Sequence, residues 1–419
     1  MGSSGNVVIV GAGIGGLATA LFLHEAGIAC TVHERSTSIR ELGVGINALP
    51  HAVGPLARLG LLERLAEVAI STGELRYAHR LGPEIMRRAC GIDAGHEFPQ
   101  FSIHRGRLQG VLHRAVLDRL GPDALHTGHA VTAVTQDAEG VTATFTDADG
   151  QPATATGDVL VAADGMHSTV RAALYPHEGA PRWNGVLMWR GATEWPAFLD
   201  GRSMIIAGGT DAKLVLYPIA PGRTPDTRLT NWAICIKLGE PGDPPPRRAD
   251  WSLRGDPAQL LPHLERFHTP HVDVRGLVAA TQESFEYPMC DRDPLPRWTF
   301  GRVTLLGDAA HPMYPMGSNG AGQAILDAVS LSNNLRRSAE PAAALQSYED
   351  ERRPATGEIV LRNRTGGPER VIDEVERRAP NGFTDLRDVI DPAELDAIVG
   401  TYSAVTVPQN PETRLPTTS

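Results

Sequence analysis

The spacing of apolar residues changes several times along the chain, and each change marks an element. Asn6 to Val10 (NVVIV) is a β-branched run that reads as a buried strand, and a glycine cluster follows at once. Leu17, Leu21 and the Phe22–Leu23 pair then recur at helical spacing through Ala26. Gly27 stops that helix, and Cys30 to Glu34 (CTVHE) reads as a second strand, completing a βαβ unit without a long loop. Helical patterns return over Leu56–Leu65, after a glycine-rich loop, and over Arg105–Leu120, where Leu108, Leu112, Val116 and Leu120 lie four apart. Val131–Thr135 and Val141–Thr146 alternate as antiparallel strands do, with a turn at Asp147–Gly150. Asp158–Ala162 is a buried strand ending at Asp164–Gly165.

Between Trp183 and Tyr287 the pattern becomes strand after strand: Gly185–Arg190, Ser203–Ile206, Lys213–Ile219 and Thr230–Ile236, separated by proline-rich loops such as Pro241–Pro246. Such a block implies a separate sheet inserted into the nucleotide-binding unit. Val303–Gly307 returns to a buried strand, a helix is predicted from Gly320 to about Arg336, and helices follow beyond Arg353 to about Ala379. The polar, proline-rich end from Val405 reads as a mobile tail.

Composition narrows the class. The 49 acidic residues exceed the 39 basic ones, for a formal charge of −10, which argues against a dedicated nucleic-acid binder. The 4 cysteines stand singly at Cys30, Cys90, Cys235 and Cys290, so neither a zinc site nor a disulfide framework is favoured. Inert thiols in a reducing cytoplasm are the plainer reading. Apolar runs fall well short of the roughly 20 residues that a membrane span needs. The leading MGSSG lacks the features of a signal peptide.

Three motifs carry the chemistry. Gly11-Ala12-Gly13-Ile14-Gly15-Gly16 is a G-x-G-x-x-G between strand and helix. Its first glycine permits the turn, Gly13 lets a pyrophosphate approach the backbone beside Ile14, and Gly16 lets helix pack on strand. The phosphates then meet a helix N-terminus. Glu34 closes the next strand and is placed to bind ribose hydroxyls. The other two motifs are Asp164–Gly165 within VAADGMHSTVR and the stretch GRVTLLGDAAHPMYPMGSNGAGQAILDA over 301–328.

In order and spacing these three motifs resemble the group A flavoprotein monooxygenases, the family of para-hydroxybenzoate hydroxylase, over residues 6 to about 355. The resemblance implies bound FAD, with NADH or NADPH as a transient reductant. It implies cofactor contacts from Gly11, Gly13, Ile14, Gly16, Glu34, Arg35, Gly45, Arg105, Val131, Asp164, Gly165, Asp308, Gly317, Gly320 and Ala321. Asp308 would hold the ribityl chain, and the helix from Gly320 would aim its N-terminus at the flavin ring, where it favours the anionic reduced form. One departure stands out: Gly322 occupies a place where many members carry asparagine.

The implied fold is α/β: a Rossmann-like FAD-binding domain with an inserted, mainly antiparallel β-sheet substrate domain and C-terminal helices. The boundaries expected are 1–72, 101–182 and 287–355 for the FAD-binding domain and 73–100 and 183–286 for the substrate domain. A helical region over 356–404 and the tail over 405–419 complete the chain.

Within the family, LGVGINALP (42–50), SIHRGRLQ (102–109), MWRGATE (188–194) and YPMCDRDPLPRW (287–298) resemble the phenazine-modifying flavin hydroxylases. That implies a planar heteroaromatic substrate, hydroxylated with or without loss of a carboxylate, through a flavin C4a-hydroperoxide. The cofactor carries such chemistry, while the protein orients the ring and excludes water. Substrate-contact candidates are Met188, Trp189, Leu216, Met289, Tyr314 and Met316, a set that suits a flat apolar ligand. Arg190, Tyr217, His311 and Pro315 are the catalytic candidates. Arg190 reads either as a carboxylate partner or as an ion-pair residue, and His311 as a proton relay or a packed loop histidine.

The expected partners are a small aromatic substrate, dioxygen and NAD(P)H, with neither nucleic acid nor membrane, in a cytoplasmic monomer or homodimer. A flavin-dependent halogenase, another FAD oxidoreductase or a flavin-binding sensor is the alternative. Met188–Trp189–Arg190 does not match the halogenase WxWxIP segment, and no output domain is evident.

Overall fold

The computed structural model describes residues 6–398 except 42, 251 and 252. The leading MGSSG and the tail expected from Val405 lie outside the described residues.

The first βαβ unit forms as its pattern predicts: a strand Asn6–Val10, a helix Ile14–Glu25 and a strand Ala29–Glu34. Around it lies a six-stranded sheet in the order Thr299–Phe300, Val303–Leu305, Val159–Ala162, Asn6–Val10, Ala29–Glu34, Leu125–Thr127. Its pairings are parallel except for the edge hairpin at 299–305. Val8, Ile9, Leu160 and Val161 are fully buried, as strands covered on both faces require. The helix Ile14–Glu25 packs against Arg105–Leu120 and Gly320–Arg337, so the first glycine loop and the late Gly320 helix share one layer.

A second, seven-stranded sheet runs Ser284–Asp291, Arg182–Pro196, Thr227–Lys237, Ala212–Pro221, Ser203–Ala207, Glu74–Ala78, Glu84–Ala89. Only the pairing of Ser203–Ala207 with Glu74–Ala78 is parallel, so this sheet is mainly antiparallel. One face packs on Leu260, Leu264 and Leu277, and helices at 341–364 and 370–378 close the C-terminal side. The fold is therefore α/β: a Rossmann-like nucleotide-binding unit, an antiparallel sheet carried on it, and C-terminal helices. Among the described residues no helix is long and apolar enough to cross a membrane.

Candidate active site

A cavity of about 300 Å³ lies between the two sheets. Gly13, Ile14, Gly15, Gly165, Asp308, Gly320 and Ala321 contribute one side of it.

Close packing dictates the glycines on that side. Gly11 has φ +102°, and a Cβ there would fall 2.4 Å from the Ala163 carbonyl oxygen. A Cβ on Gly16 would sit 1.9 Å from the Gly11 oxygen, so only glycine lets helix and strand approach this closely. Gly13 differs, because a Cβ there meets nothing within 4 Å, and the same holds at Gly320 and Gly165. These three positions leave backbone bare before open space, which fits a dinucleotide laid along the loop and the helix ends. Glu34 is fixed by accepting from the backbone N–H groups of Ala12 (2.9 Å) and Ser36 (2.8 Å).

The polar groups agree with that fit. Asp164 accepts from Thr169 N at 2.8 Å through Oδ2, while its buried Oδ1 has no hydrogen-bond partner among the described residues. Burial raises the Asp164 carboxyl above its usual range, which its hydrogen bonds only partly offset. Asp308 is exposed to the cavity, where desolvation by the surrounding protein raises its carboxyl against the pull of His311 and Arg105. A hydroxyl-rich chain laid there would donate to Asp308 and satisfy the orphaned oxygen of Asp164. Arg105 lies on the same wall, where burial lowers its pKa and Asp308 raises it. The N-terminus of the 18-residue helix Gly320–Arg337 opens on the cavity with no acidic residue in its first turn, so its positive end remains available. These residues fit FAD.

The opposite wall is the seven-stranded sheet. Met188, Arg190, Tyr217 and Met289 face the cavity from it, and Tyr314, Pro315 and Met316 face it from the flavin-side loop. Arg190 is 5% exposed, and burial, with Arg105 next, disfavours its charge. Burial also raises the Tyr217 and Tyr314 hydroxyls, keeping both as neutral phenols.

Several expected contacts lie elsewhere. Trp189 and Leu216 belong to the core on the far face of the sheet, away from the cavity. Successive strand residues face opposite sides, so Met188 and Arg190 can line the cavity only if Trp189 does not. His311 is absent from the wall as well: it is buried, with Nε2 2.5 Å from Asp327 Oδ2. Asp327 also accepts from Arg352 Nε at 2.8 Å and from Gly307 N at 3.1 Å. His311 thus belongs to a buried network that holds the turn before Asp308.

Arg35 is exposed and Val131 half-buried, and like Gly11, Gly16, Glu34, Asp164 and Gly317 they do not line this cavity. Gly317 instead shapes the approach to the helix, with φ +69° and Ser318 following at +57°. Gly45 lines the cavity and donates from its N–H to Asn231 Oδ1 at 2.8 Å. Gly322 packs against His51 and Ala52, where a Cβ would lie 3.2 Å from His51 Nε2.

Sequence reasoning missed Met204, Met313, Lys213, Cys235 and Glu369, all on the cavity wall. The methionines carried a signal: of 8 in the chain, Met188, Met204, Met289, Met313 and Met316 line this one cavity. Polarizable, adaptable thioethers suit a broad ring.

Comparison with known proteins gives this geometry a family. A family model described as "FAD binding domain" matches residues 5–363. The chain is 44% identical over 364 residues to a phenazine 1,6-dicarboxylic acid hydroxylase of Lysobacter antibioticus, covering 86% of this chain and 89% of that one. It is 32% identical to 3-hydroxybenzoate 6-hydroxylase 1 of Aquipseudomonas alcaligenes, over 84% and 86% of the two chains. Among solved structures, Klebsiella pneumoniae HpxO complexed with FAD and uric acid superposes with a TM-score of 0.75 at 25% identity, covering 97% of this chain and 98% of that one. The chain therefore belongs to the FAD-binding monooxygenases of the para-hydroxybenzoate hydroxylase type and is an FAD-dependent aromatic hydroxylase.

Proposed function

We propose that this enzyme hydroxylates a planar heteroaromatic carboxylate of the phenazine class. One oxygen atom of dioxygen would enter the ring and the other leave as water, with NADH or NADPH supplying the electron pair in the cytoplasm. The observation that carries the reading is a single wall holding Arg190 among Met188, Met289, Met204 and Tyr217, opposite the FAD-side glycines. A broad apolar surface with one buried guanidinium suits a flat ring that bears a carboxylate. The 44% identical relative that acts on a phenazine dicarboxylate supports the same class.

Bound FAD supplies the redox chemistry that activates dioxygen. The residues of this chain do the rest. Gly13, Gly165 and Gly320 leave room for the cofactor, and Asp164 and Asp308 would accept hydrogen bonds from it. Arg190 binds the carboxylate and fixes the ring's direction, Tyr217 beside it offers a neutral hydroxyl, and the methionines exclude water from the ring face. Pro315 and Met316 keep the ring against the flavin side.

A panel tests the assignment. Phenazine-1-carboxylate and phenazine-1,6-dicarboxylate should stimulate NAD(P)H oxidation by the FAD-loaded enzyme, and unsubstituted phenazine should not. Arg190→Met should raise KM for the carboxylates by about tenfold or more, the scale of a charge-assisted hydrogen bond, while FAD content holds. Equal stimulation by the uncharged ring, or an unchanged KM in R190M, would count against the carboxylate reading. Product mass reports whether a carboxylate leaves.

A further inference from the structure

The sheet wall of the cavity carries a second cation beside Arg190. Lys213 lies on the strand Ala212–Pro221, with its side chain 7% exposed, and forms an ion pair with Glu369, whose side chain is 9% exposed. Both line the cavity. Burial works against the Lys213 charge, but Glu369 outweighs it and holds the ammonium charged.

Such a pair has a poor structural rationale. Desolvating two charges costs several kcal/mol, and apolar residues of similar volume often serve stability as well. Its position is more telling. Glu369 ends the turn Gly367–Glu369, which follows Gly366 and packs against Met316–Ser318 of the flavin-side loop. The pair thus sits where the sheet, the flavin loop and the C-terminal helices meet. An ammonium has three protons to donate, and Glu369 is its partner among the described residues.

Register relates Lys213 to Arg190. Across the strand Thr227–Lys237, Arg190 pairs with Ala233 and Ala233 with Val215, while Met188 pairs with Cys235 and Cys235 with Lys213. All six line the cavity, so they share one face of the sheet. Arg190 and Lys213 are therefore two strand spacings apart across the sheet, about 10 Å, and offset by two residues along it, about 7 Å. The middle strand presents only Ala233 and Cys235 between them, a low floor across which a fused ring can lie.

From this arrangement we infer that Lys213, oriented by Glu369, is a second carboxylate anchor that fits the cavity to rings carrying acidic groups at both ends. The inference rests on the heteroaromatic-carboxylate reading above. Arg190 takes one carboxylate and the Lys213 ammonium donates to the other. Glu369 sets the ammonium's direction and keeps it charged when the cavity holds no ligand.

The experiment titrates FAD-loaded full-length enzyme with phenazine-1-carboxylate and with phenazine-1,6-dicarboxylate, read by perturbation of flavin absorbance. Wild type should prefer the dicarboxylate. Lys213→Met should weaken the dicarboxylate about tenfold or more, as loss of a charge-assisted hydrogen bond does, and leave the monocarboxylate within about twofold. Lys213→Arg should restore the preference. Glu369→Gln, which removes the group that keeps the ammonium charged and oriented, should weaken the dicarboxylate selectively. Equal losses for both ligands in K213M, or no loss for either, would show that the pair only clamps the C-terminal turn. If neither carboxylate perturbs wild-type flavin, the substrate class itself falls, and the anchor with it.

Discussion

Gly13 and Gly16 stand three residues apart and answer to different constraints. A methyl group at Gly16 meets the Gly11 carbonyl at 1.9 Å, whereas one at Gly13 meets open space. Gly16→Ala should therefore break the packing of helix on strand and lower the melting temperature of protein with and without FAD. Gly13→Ala should leave the apoprotein's melting temperature unchanged and lower its retention of FAD. Calorimetry and flavin absorbance separate the two, and a Gly13→Ala apoprotein destabilised like Gly16→Ala would contradict the cradle. At this scale the sequence was legible where close packing forces glycine at a fixed spacing, as at Gly11 and Gly16. It was silent on Lys213 and Glu369, which lie 156 residues apart and meet only through the tertiary fold.

Elements were legible wherever their period was clean. The helix predicted over Arg105–Leu120 has those bounds, and the helix from Gly320 ends at Arg337. The segment Leu56–Leu65 divides instead into Pro50–Arg58 and Leu62–Ala66, with Gly60 between them at φ +68°. The strand Arg182–Pro196 resisted a different question, since residues 185–191 are buried without alternation. With both faces covered, period 2 cannot say which parity meets a ligand, and so Trp189 was expected beside Met188. The charged Arg190 marks the polar side and was the available clue.

A further consequence belongs to the strand Ala29–Glu34. Its His33 stacks with His126, His129 and Phe145, with ring centroids 4.5–5.3 Å apart. Burial, then repulsion from His126 and His129, lowers the His33 pKa from 6.5 to about 3. The unfolded chain then binds a proton that the native one refuses, so stability declines as pH falls from about 6.5 towards 3, by up to about 1.4 kcal/mol per pH unit. His33→Phe keeps the stack without the titration and should flatten the fall in melting temperature between pH 6.5 and 4.5. An unchanged slope would locate the acid sensitivity elsewhere.

At the scale of the whole molecule, the two largest sheets, the nucleotide-binding one and the antiparallel one, share one cavity, and the hydroxylase assignment depends on that sharing. The glycine loop, the Asp164 turn and the Gly320 helix come from residues some 300 positions apart and converge on one side. The other side is a single face of a sheet whose strands Glu74–Ala78 and Glu84–Ala89 arrive from early in the chain. Sequence pattern gave the late strands of that sheet, but Ser284–Asp291 went unread because its proline and acidic residues mask a strand signature. Joint construction of the cavity predicts that cofactor and substrate react in one enclosed space. The most direct measurement is turnover of phenazine-1,6-dicarboxylate by the FAD-loaded enzyme with NAD(P)H under ¹⁸O₂. The account predicts ¹⁸O in the hydroxylated product, with NAD(P)H oxidation coupled to its formation. Product oxygen drawn from water, or NAD(P)H oxidation yielding only hydrogen peroxide, would contradict it.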